Sequence, residues 1–457
     1  MKSYLKFLLS LSVLLLISGM VYAGGGKQAA SEGTVTLKFT YWGSPVERQA
    51  VEKALAAFER NNPGIKVDAQ HIPTEYLEKI TAMVAADMAP DVVYLDDTVA
   101  TAWGTEGKLV NVYELLQNDT ELKREDFLDA IWYKWSANAA VGTNTALETA
   151  AIFYNKDMFT AAGIAPPPAR AEDAWTWDQF VRVAKQLTLD NTGKHPDDPG
   201  FNPNNIVQYG VQWGTSIWEW MTMVYSNGGR FLKEDGSAIA LTQPAAYEAI
   251  QKVADLMNVH HVAPSPVAAK SIPEPSTALM TKRVAMVMAG QWVLLDLGAN
   301  TGLNFDIGVL PKMKNNYVTI VLGAPTAIFK STKHPAESWK LFKWLANPES
   351  SLDLMQGGLW MPLLKNWYTD ETLIARWAQG NRAHPPSYRT AVMDAAMKYG
   401  MPVPVYNVKN YEKIANIINP ALDPVWLGER TAEQALRGIE SQANREVNGF
   451  FDTSRNY

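Results

Sequence analysis

The sequence predicts an α/β protein built as two lobes, and three observations carry that expectation. Extended apolar runs alternate with amphipathic helical runs along residues 35–95, the pattern of a largely parallel sheet covered by helices. The chain has 457 residues and no cysteine. It must therefore be held by core burial without disulfides, and it is too long for one small domain. Finally, several expected strand ends carry the same residue types: Trp42 and Ser44, Asp96 and Asp97, and Trp292. Binding residues of open α/β sheets collect beyond the carboxyl ends of the strands. One lobe would not easily bring all of these to one point, whereas two lobes facing across a cleft would.

Taken in order, Val35 to Tyr41 reads as a buried strand that Trp42-Gly43-Ser44-Pro45 breaks. Val51, Leu55 and Phe58 have helical spacing and predict a helix over Glu47 to Asn61, stopped by Asn62-Pro63-Gly64. Ile65 to Val67 restarts an extended run, Tyr76 to Met88 reads as helix, and Pro90 to Leu95 is a short apolar strand ending in Asp96-Asp97. The same grammar returns with a strand at Ala150 to Tyr154, a short helix at Asp157 to Ala162, and an amphipathic helix at Trp177 to Thr188. Tyr209 to Trp213 is extended. Ile217 to Tyr225 is a tryptophan-rich helix stopped by Asn227-Gly228-Gly229, and Ala245 to Asn258 is another helix. Arg283 to Met288 is a strand leading to Gly290-Gln291-Trp292. Further short extended runs are expected at Phe305 to Leu310 and Ala327 to Lys330, before a mainly helical region from His334. No fixed-period repeat is evident.

The first residues read as a targeting segment. Lys2 and Lys6 precede an apolar stretch, Phe7 to Ile17, and Val21-Tyr22-Ala23 places small residues where a signal peptidase reads them. The apolar stretch falls short of the about 20 residues a membrane span needs. Residues 1–23 are thus expected to be a signal peptide and 24–33 a loose leader; an uncleaved anchor is the other reading. The absence of cysteine also removes the acylation site of a bacterial lipoprotein, thiolate metal sites and cysteine nucleophiles. The formal charge is −6 without blocks of like charge, which carries no nucleic-acid or membrane footprint. Aromatic content stands out, with 16 Trp and 18 Tyr. Some of these fill the core, and those at loop ends are expected to do more.

Several segments together carry a resemblance: FERNNPGIKV (Phe58 to Val67), APDVVYLDD (Ala89 to Asp97), EGKLVNV (Glu106 to Val112) and ETAAIFYNKDMFTAAGIAPPP (Glu148 to Pro168). TWDQFVRVAKQLT (Thr176 to Thr188), NGGRF (Asn227 to Phe231), KRVAMVMAGQW (Lys282 to Trp292) and STKHPAESWKLFKWL (Ser331 to Leu345) continue it. Each alone is weak, but their joint order resembles the family 1 extracellular solute-binding proteins, the sugar receptors of ATP-driven (ABC) importers. The resemblance implies a bilobal periplasmic-binding-protein fold of type II, with two α/β lobes joined by a hinge that closes around the ligand. It implies crossings near Ala146, Leu322 and Asn366. The N-terminal lobe would be residues 34–147 with 322–366, and the C-terminal lobe residues 148–321 with 367–457.

The resemblance also implies site residues. Glu148 stands where maltose-binding members place a sugar-contacting glutamate, and a carboxylate there can accept two hydroxyl hydrogen bonds. Trp292, after Gly290, stands where an indole stacks on a pyranose. Trp218 matches a second aromatic contact, with Trp213 and Trp220 competing for the role; one or two of the three belong to the core. Trp42 and Ser44 fall near polar contacts, although an acid found there in maltose binders is missing, which puts maltose itself in doubt. Of Asp96 and Asp97, at least one is expected to bind hydroxyls, and the other may serve as a helix cap. Trp360, in a Gly-Gly-Leu-Trp turn, approaches the cleft. Tyr406 and Tyr411 lie near a further aromatic contact, between which the resemblance does not choose. Asn227 is a candidate contact, though an Asn-Gly-Gly turn has a structural reason of its own.

The expected function is that of an extracytoplasmic receptor for a neutral sugar, an oligosaccharide if several tryptophans line the cleft. The expected partners are that carbohydrate and a membrane permease, with no nucleic acid. A monomer without cofactor or assigned metal site is expected, and the sequence shows no EF-hand-type calcium loop. Two alternatives stay open. The same fold could bind another polar solute such as a glycerol phosphate, which would favour cations in the cleft. A secreted glycan-active enzyme would need a carboxylate pair. Against the second, adjacent carboxylates on an extended segment point apart, and no GxSxG, HExxH or P-loop motif appears.

Overall fold

Leu37, Phe39 and Tyr41 bury their side chains while Lys38 stays exposed, so the first apolar run forms a strand with one committed face. That strand, β1 (Val35–Tyr41), pairs in parallel with β2 (Ile65–His71) and β3 (Val92–Tyr94). The computed structural model describes residues 33–314 and 316–451. The expected signal peptide and all but the last residue of the expected leader lie outside the described residues.

The first sheet is completed by β4 (Trp132–Ser136), β5 (Ala139–Asn144) and β12 (Pro325–Ile328), in the order β2-β1-β3-β12-β5-β4. The second contains β6 (Glu148–Asn155), β7 (Leu189–Asp190), β8 (Ile206–Gln212), β9 (Val284–Gly290), β10 (Phe305–Gly308), β11 (Thr319–Leu322) and β13 (Gly400–Pro402). Its order is β13-β11-β6-β9-β8-β7, with β10 also paired to β6. Both sheets are mixed, because strands entering from the other sheet run antiparallel to their neighbours. β4 and β5 are not apparent from alternation: all six residues of β5 are buried, so no period of two is left to read.

Most helices follow their sequence signals. Ser44 caps the helix Pro45–Asn61 by accepting from the Glu47 amide at 3.2 Å, Pro45 sits in the first turn, and Val51, Ala54, Leu55 and Phe58 form its buried face. The helix expected to reach Met88 instead covers Tyr76–Ala85. Asp87 takes a left-handed conformation, φ 56°, and the Met88 amide turns back to the Met83 carbonyl at 2.8 Å, which ends the helix. Likewise Trp177–Gln186 stops two residues early, and its continuation enters β7.

The chain passes from the first sheet to the second through Thr145-Ala146-Leu147 and returns through Gly323-Ala324. The two connectors lie side by side. The Asn144 side-chain amide donates to the Leu322 carbonyl at 2.9 Å, and the Thr145 and Thr326 hydroxyls meet at 2.9 Å. Tyr406, fully buried, donates to Asn144 Oδ1 at 2.9 Å or the Gly323 carbonyl at 3.1 Å, and stacks edge-on against Tyr133 at 4.4 Å. A polar knot of this kind satisfies the backbone groups that the change of sheet leaves unpaired.

Candidate ligand-binding cleft

Beside that pair of connectors lies a cavity of about 820 Å³. The carboxyl ends of β1 and β3 contribute Trp42 and Tyr94, the start of β6 contributes Glu148, and the turn after β9 contributes Trp292. Thr145, Leu322, Gly323 and Ala324 of the connectors form its back. The cleft is therefore built where strand ends of both sheets converge, as the geometry of open α/β sheets favours.

Its walls are aromatic. Trp42 packs edge-on against Tyr76 at 4.8 Å and against Tyr94 at 5.7 Å, and Tyr94 lies 6.3 Å from Trp360. On the other side Trp292 is backed by Trp218, ring centroids 5.5 Å apart at 69°. Gly290 exists for this ring, since a Cβ there would come within 1.8 Å of the Trp292 indole. Trp360 is held by the Leu147–Met361 bridge, which ties its turn to the first connector.

Its charged side chains are all carboxyls, set among the hydroxyl-bearing Ser44, Tyr94, Thr145, Ser276 and Thr277. The Glu47 side chain folds over Gly43, whose hypothetical Cβ would meet Glu47 Oε2 at 2.1 Å. Burial pushes Glu47 up to about 7, and the negative charge of Asp296 adds to that against a hydrogen bond from the Ser44 backbone. Ser44 also reaches Asp296 Oδ1 at 3.4 Å, joining the end of β1 to the helix Leu294–Ala299 that follows Trp292. Asp96 caps the helix Asp97–Thr105 by accepting from the Thr98 amide at 3.0 Å. Burial, with Asp96 beside it, raises Asp97 to about 7. Glu148 is raised to about 8 by burial and by the charges of Glu47 and Asp97.

Seven of the residues expected from the sequence line this one cavity: Trp42, Ser44, Asp96, Asp97, Glu148, Trp292 and Trp360. Trp218 stands one shell behind Trp292, while Trp213 and Trp220 are buried in the core. Asn227 lies elsewhere; it is buried after the helix Ile217–Ser226, with its amide donating to the Ala245 carbonyl at 2.8 Å. Tyr406 belongs to the knot at the connectors, and Tyr411 packs against Phe231 at 5.7 Å in the core. Sequence reasoning missed Glu47, Tyr94, Thr145, Glu274, Ser276 and Asp296. Glu47 and Tyr94 flank strand ends already under suspicion, so position alone would have found them. Glu274, Ser276 and Asp296 carry no local signal.

Other depressions differ in chemistry. One of about 870 Å³ is lined by Lys38, Lys108, Lys330 and Lys333, and one of about 690 Å³ by Lys156, Arg382 and Arg389; neither contains tryptophan.

Two α/β halves, joined by adjacent connectors beside a cleft, define a bilobal binding protein of the type II periplasmic architecture. Residues 42–351 match the family of bacterial extracellular solute-binding proteins, and the chain belongs to that family. It is 21% identical over 398 residues to a binding protein of Brucella abortus, covering 86% of this chain and 88% of that one. Among solved structures it is similar to the Listeria monocytogenes ABC substrate-binding protein in complex with cycloalternan. That match has a TM-score of 0.76 and 22% identity, covering 90% of this chain and 98% of the other. It is also similar to an ABC transporter solute-binding protein of Thermotoga lettingae bound with α-D-tagatose, with TM-score 0.74, 21% identity and coverage of 91% and 100%. No helix among the described residues is long and apolar enough to cross a membrane.

Proposed function

We propose that this protein is the extracytoplasmic substrate-binding component of an ABC importer and that it holds a saccharide in the cleft between its two sheets. The observation that carries the proposal is the lining of the cleft, where Trp42, Trp292 and Trp360 share one cavity with Asp96, Asp97 and Glu148. An indole face suits the C–H face of a pyranose, and carboxyl groups suit its hydroxyls. The sugars held by the Listeria and Thermotoga proteins support the same reading.

The cavity volume lies toward the upper end of the about 300–1,000 Å³ common for small-molecule sites. That, with three tryptophans, supports an oligosaccharide over a monosaccharide. A glycerol phosphate is disfavoured, since no lysine or arginine lines the cleft to meet a phosphate. The enzyme reading loses support as well, because the family consists of solute-binding proteins. The protein would be secreted by its signal segment, act as a monomer, and present the closed, loaded form to a membrane permease.

A thermal-shift screen of the purified protein against mono- and oligosaccharides tests this. A ligand that binds only the folded state raises Tm in a concentration-dependent way. A shift with one sugar series, and no release of reducing sugar from it, supports the receptor. Shifts only with phosphorylated polyols or peptides would overturn the carbohydrate assignment while leaving the fold intact.

A further inference from the structure

We propose that Ser44 and Asp296 form a latch across the mouth of the cleft, holding the two lobes closed over a bound saccharide. Both are then positioning residues, which act on affinity through the closed arrangement of the lobes. This rests on the saccharide reading above and adds the contact that keeps the ligand in.

Ser44 stands at the end of β1, on the side of the first sheet, and Asp296 in the helix Leu294–Ala299 that follows β9 of the second. Both line the cavity, so a bond between them spans it. The Ser44 hydroxyl accepts from the Glu47 amide at 3.2 Å as the cap of the helix Pro45–Asn61. A hydroxyl also has one proton to give, and this one goes across the cleft to Asp296 Oδ1 at 3.4 Å. The same oxygen thus starts a helix in one lobe and holds a carboxyl of the other. That carboxyl arrives at the amino end of a 17-residue helix, where the helix dipole favours negative charge.

Each half of the latch is braced from its own side. The His71 ring meets the Gly43 carbonyl at 2.8 Å and fixes the turn that carries Ser44. Gly43 has φ 129°, a conformation that side chains disfavour, so this turn is set by the residue that precedes the latch. On the other side the Ser276 hydroxyl donates to the Asp296 carbonyl at 3.3 Å, and the Asn300 amide donates to that hydroxyl at 3.4 Å. Asp296 is therefore presented by two linked helices, Pro275–Met280 and Leu294–Ala299, and not by a free loop. The neighbouring Pro45 and Glu274 are exposed, whereas Gly323 and Trp360 at the back of the cavity are buried, which puts the pair toward the mouth. Opening the lobes about the connectors separates Ser44 from Asp296, so their bond favours the closed arrangement alone.

The test replaces Ser44 by a residue that keeps the cap and loses the proton. Aspartate caps a helix as well as serine does, but its carboxylate donates nothing and repels Asp296. Calorimetric titration with maltose, maltotriose, cellobiose and cellotriose compares the parent protein, Ser44→Asp, Asp296→Asn and the double variant, each checked by a melt. Ser44→Asp should weaken every sugar that binds by one common factor, about three- to ten-fold, while melting close to the parent. Asp296→Asn alone still accepts from Ser44 and should change affinity less. Combined with Ser44→Asp it should restore most of the loss, because its amide donates across the cleft in the opposite direction. The chain has no cysteine, so Gln49→Cys and Lys270→Cys, exposed positions beside the first and second sheets, can carry a pair of spin labels. Without added sugar the distances between them should include a short, closed component that shrinks in Ser44→Asp and returns in the double variant. An unchanged or tighter Kd in Ser44→Asp, or a double variant no better than Ser44→Asp, overturns the latch. So does a loss confined to one of several sugars that bind, which marks a direct ligand contact. If none of the four sugars binds, the saccharide reading loses its support and the distances alone judge the latch: a short component that is absent, or the same in every variant, overturns it.

Discussion

Removing the indole of Trp292 should weaken sugar binding without unfolding the protein. The ring is half-buried, lines the cleft, and rests edge-on against Trp218 at 5.5 Å. Truncating a stacking aromatic at a binding site costs about 1–3 kcal/mol, or about 5- to 150-fold in Kd. The ligand-free protein loses mainly the contact with Trp218, worth about 0.5–1.5 kcal/mol, so its Tm should fall by only a few degrees. Calorimetric titration of Trp292→Ala with the sugar found by thermal shift, alongside a melt of the ligand-free variant, separates the two effects. Gly290→Ala offers an independent check, since a Cβ 1.8 Å from the ring must displace the indole without deleting it, and affinity should fall there too. An unchanged Kd in Trp292→Ala, with a normal melt, would remove this residue from the site and refute the stacking argument.

Further expectations concern the acids and the connectors. Glu148, Glu47 and Asp97 have native pKa values raised above their ordinary ones, so the native state binds extra protons and their contribution to stability is lost as pH rises toward about 7–8. The buried Glu219, raised to about 7, acts in the same direction. His384 is pushed down to about 3 by burial and acts oppositely, gaining stability with pH, but that gain is complete above about 6.5. The ligand-free protein should therefore melt lower at pH 8 than at pH 6.5, and Glu148→Gln should flatten this slope; an unchanged slope would contradict the raised pKa. Tyr406→Phe leaves Asn144 Oδ1 without its donor and weakens the hold on the Gly323 carbonyl, and should cost about 1–3 kcal/mol in denaturant unfolding. Asn227→Ala should lower stability through loss of its bond to the Ala245 carbonyl while leaving sugar affinity unchanged, and a weakened Kd would return Asn227 to the site.

Much of this architecture was legible in the chain because its causes are local. Ser44, Asp96 and Asn155 cap helices with oxygen atoms only two or three residues from the amides they satisfy. The strand-end positions of Trp42, Asp97 and Trp292 follow from apolar runs that stop abruptly, and all three meet in one cavity. The joint order of several weak segments placed the chain in its family. Element ends were less legible where a backbone conformation decides them, as at Asp87.

What only the tertiary structure decided involves residues far apart in sequence. Nothing local distinguishes Trp218, which backs the cleft ring of Trp292, from Trp213 and Trp220 in the core, because all three sit in apolar surroundings and differ only in what folds over them. Asp296 and Glu274 join Glu47 because the end of β1 meets the helices Pro275–Met280 and Leu294–Ala299, which lie on either side of β9 in the chain. The crowding of carboxyl groups in the cleft, and the raised proton affinities that burial gives Glu47, Asp97 and Glu148, likewise exist only after folding. Composition counts acids and bases along the chain, whereas Coulomb energy and desolvation depend on which of them end up side by side and away from water.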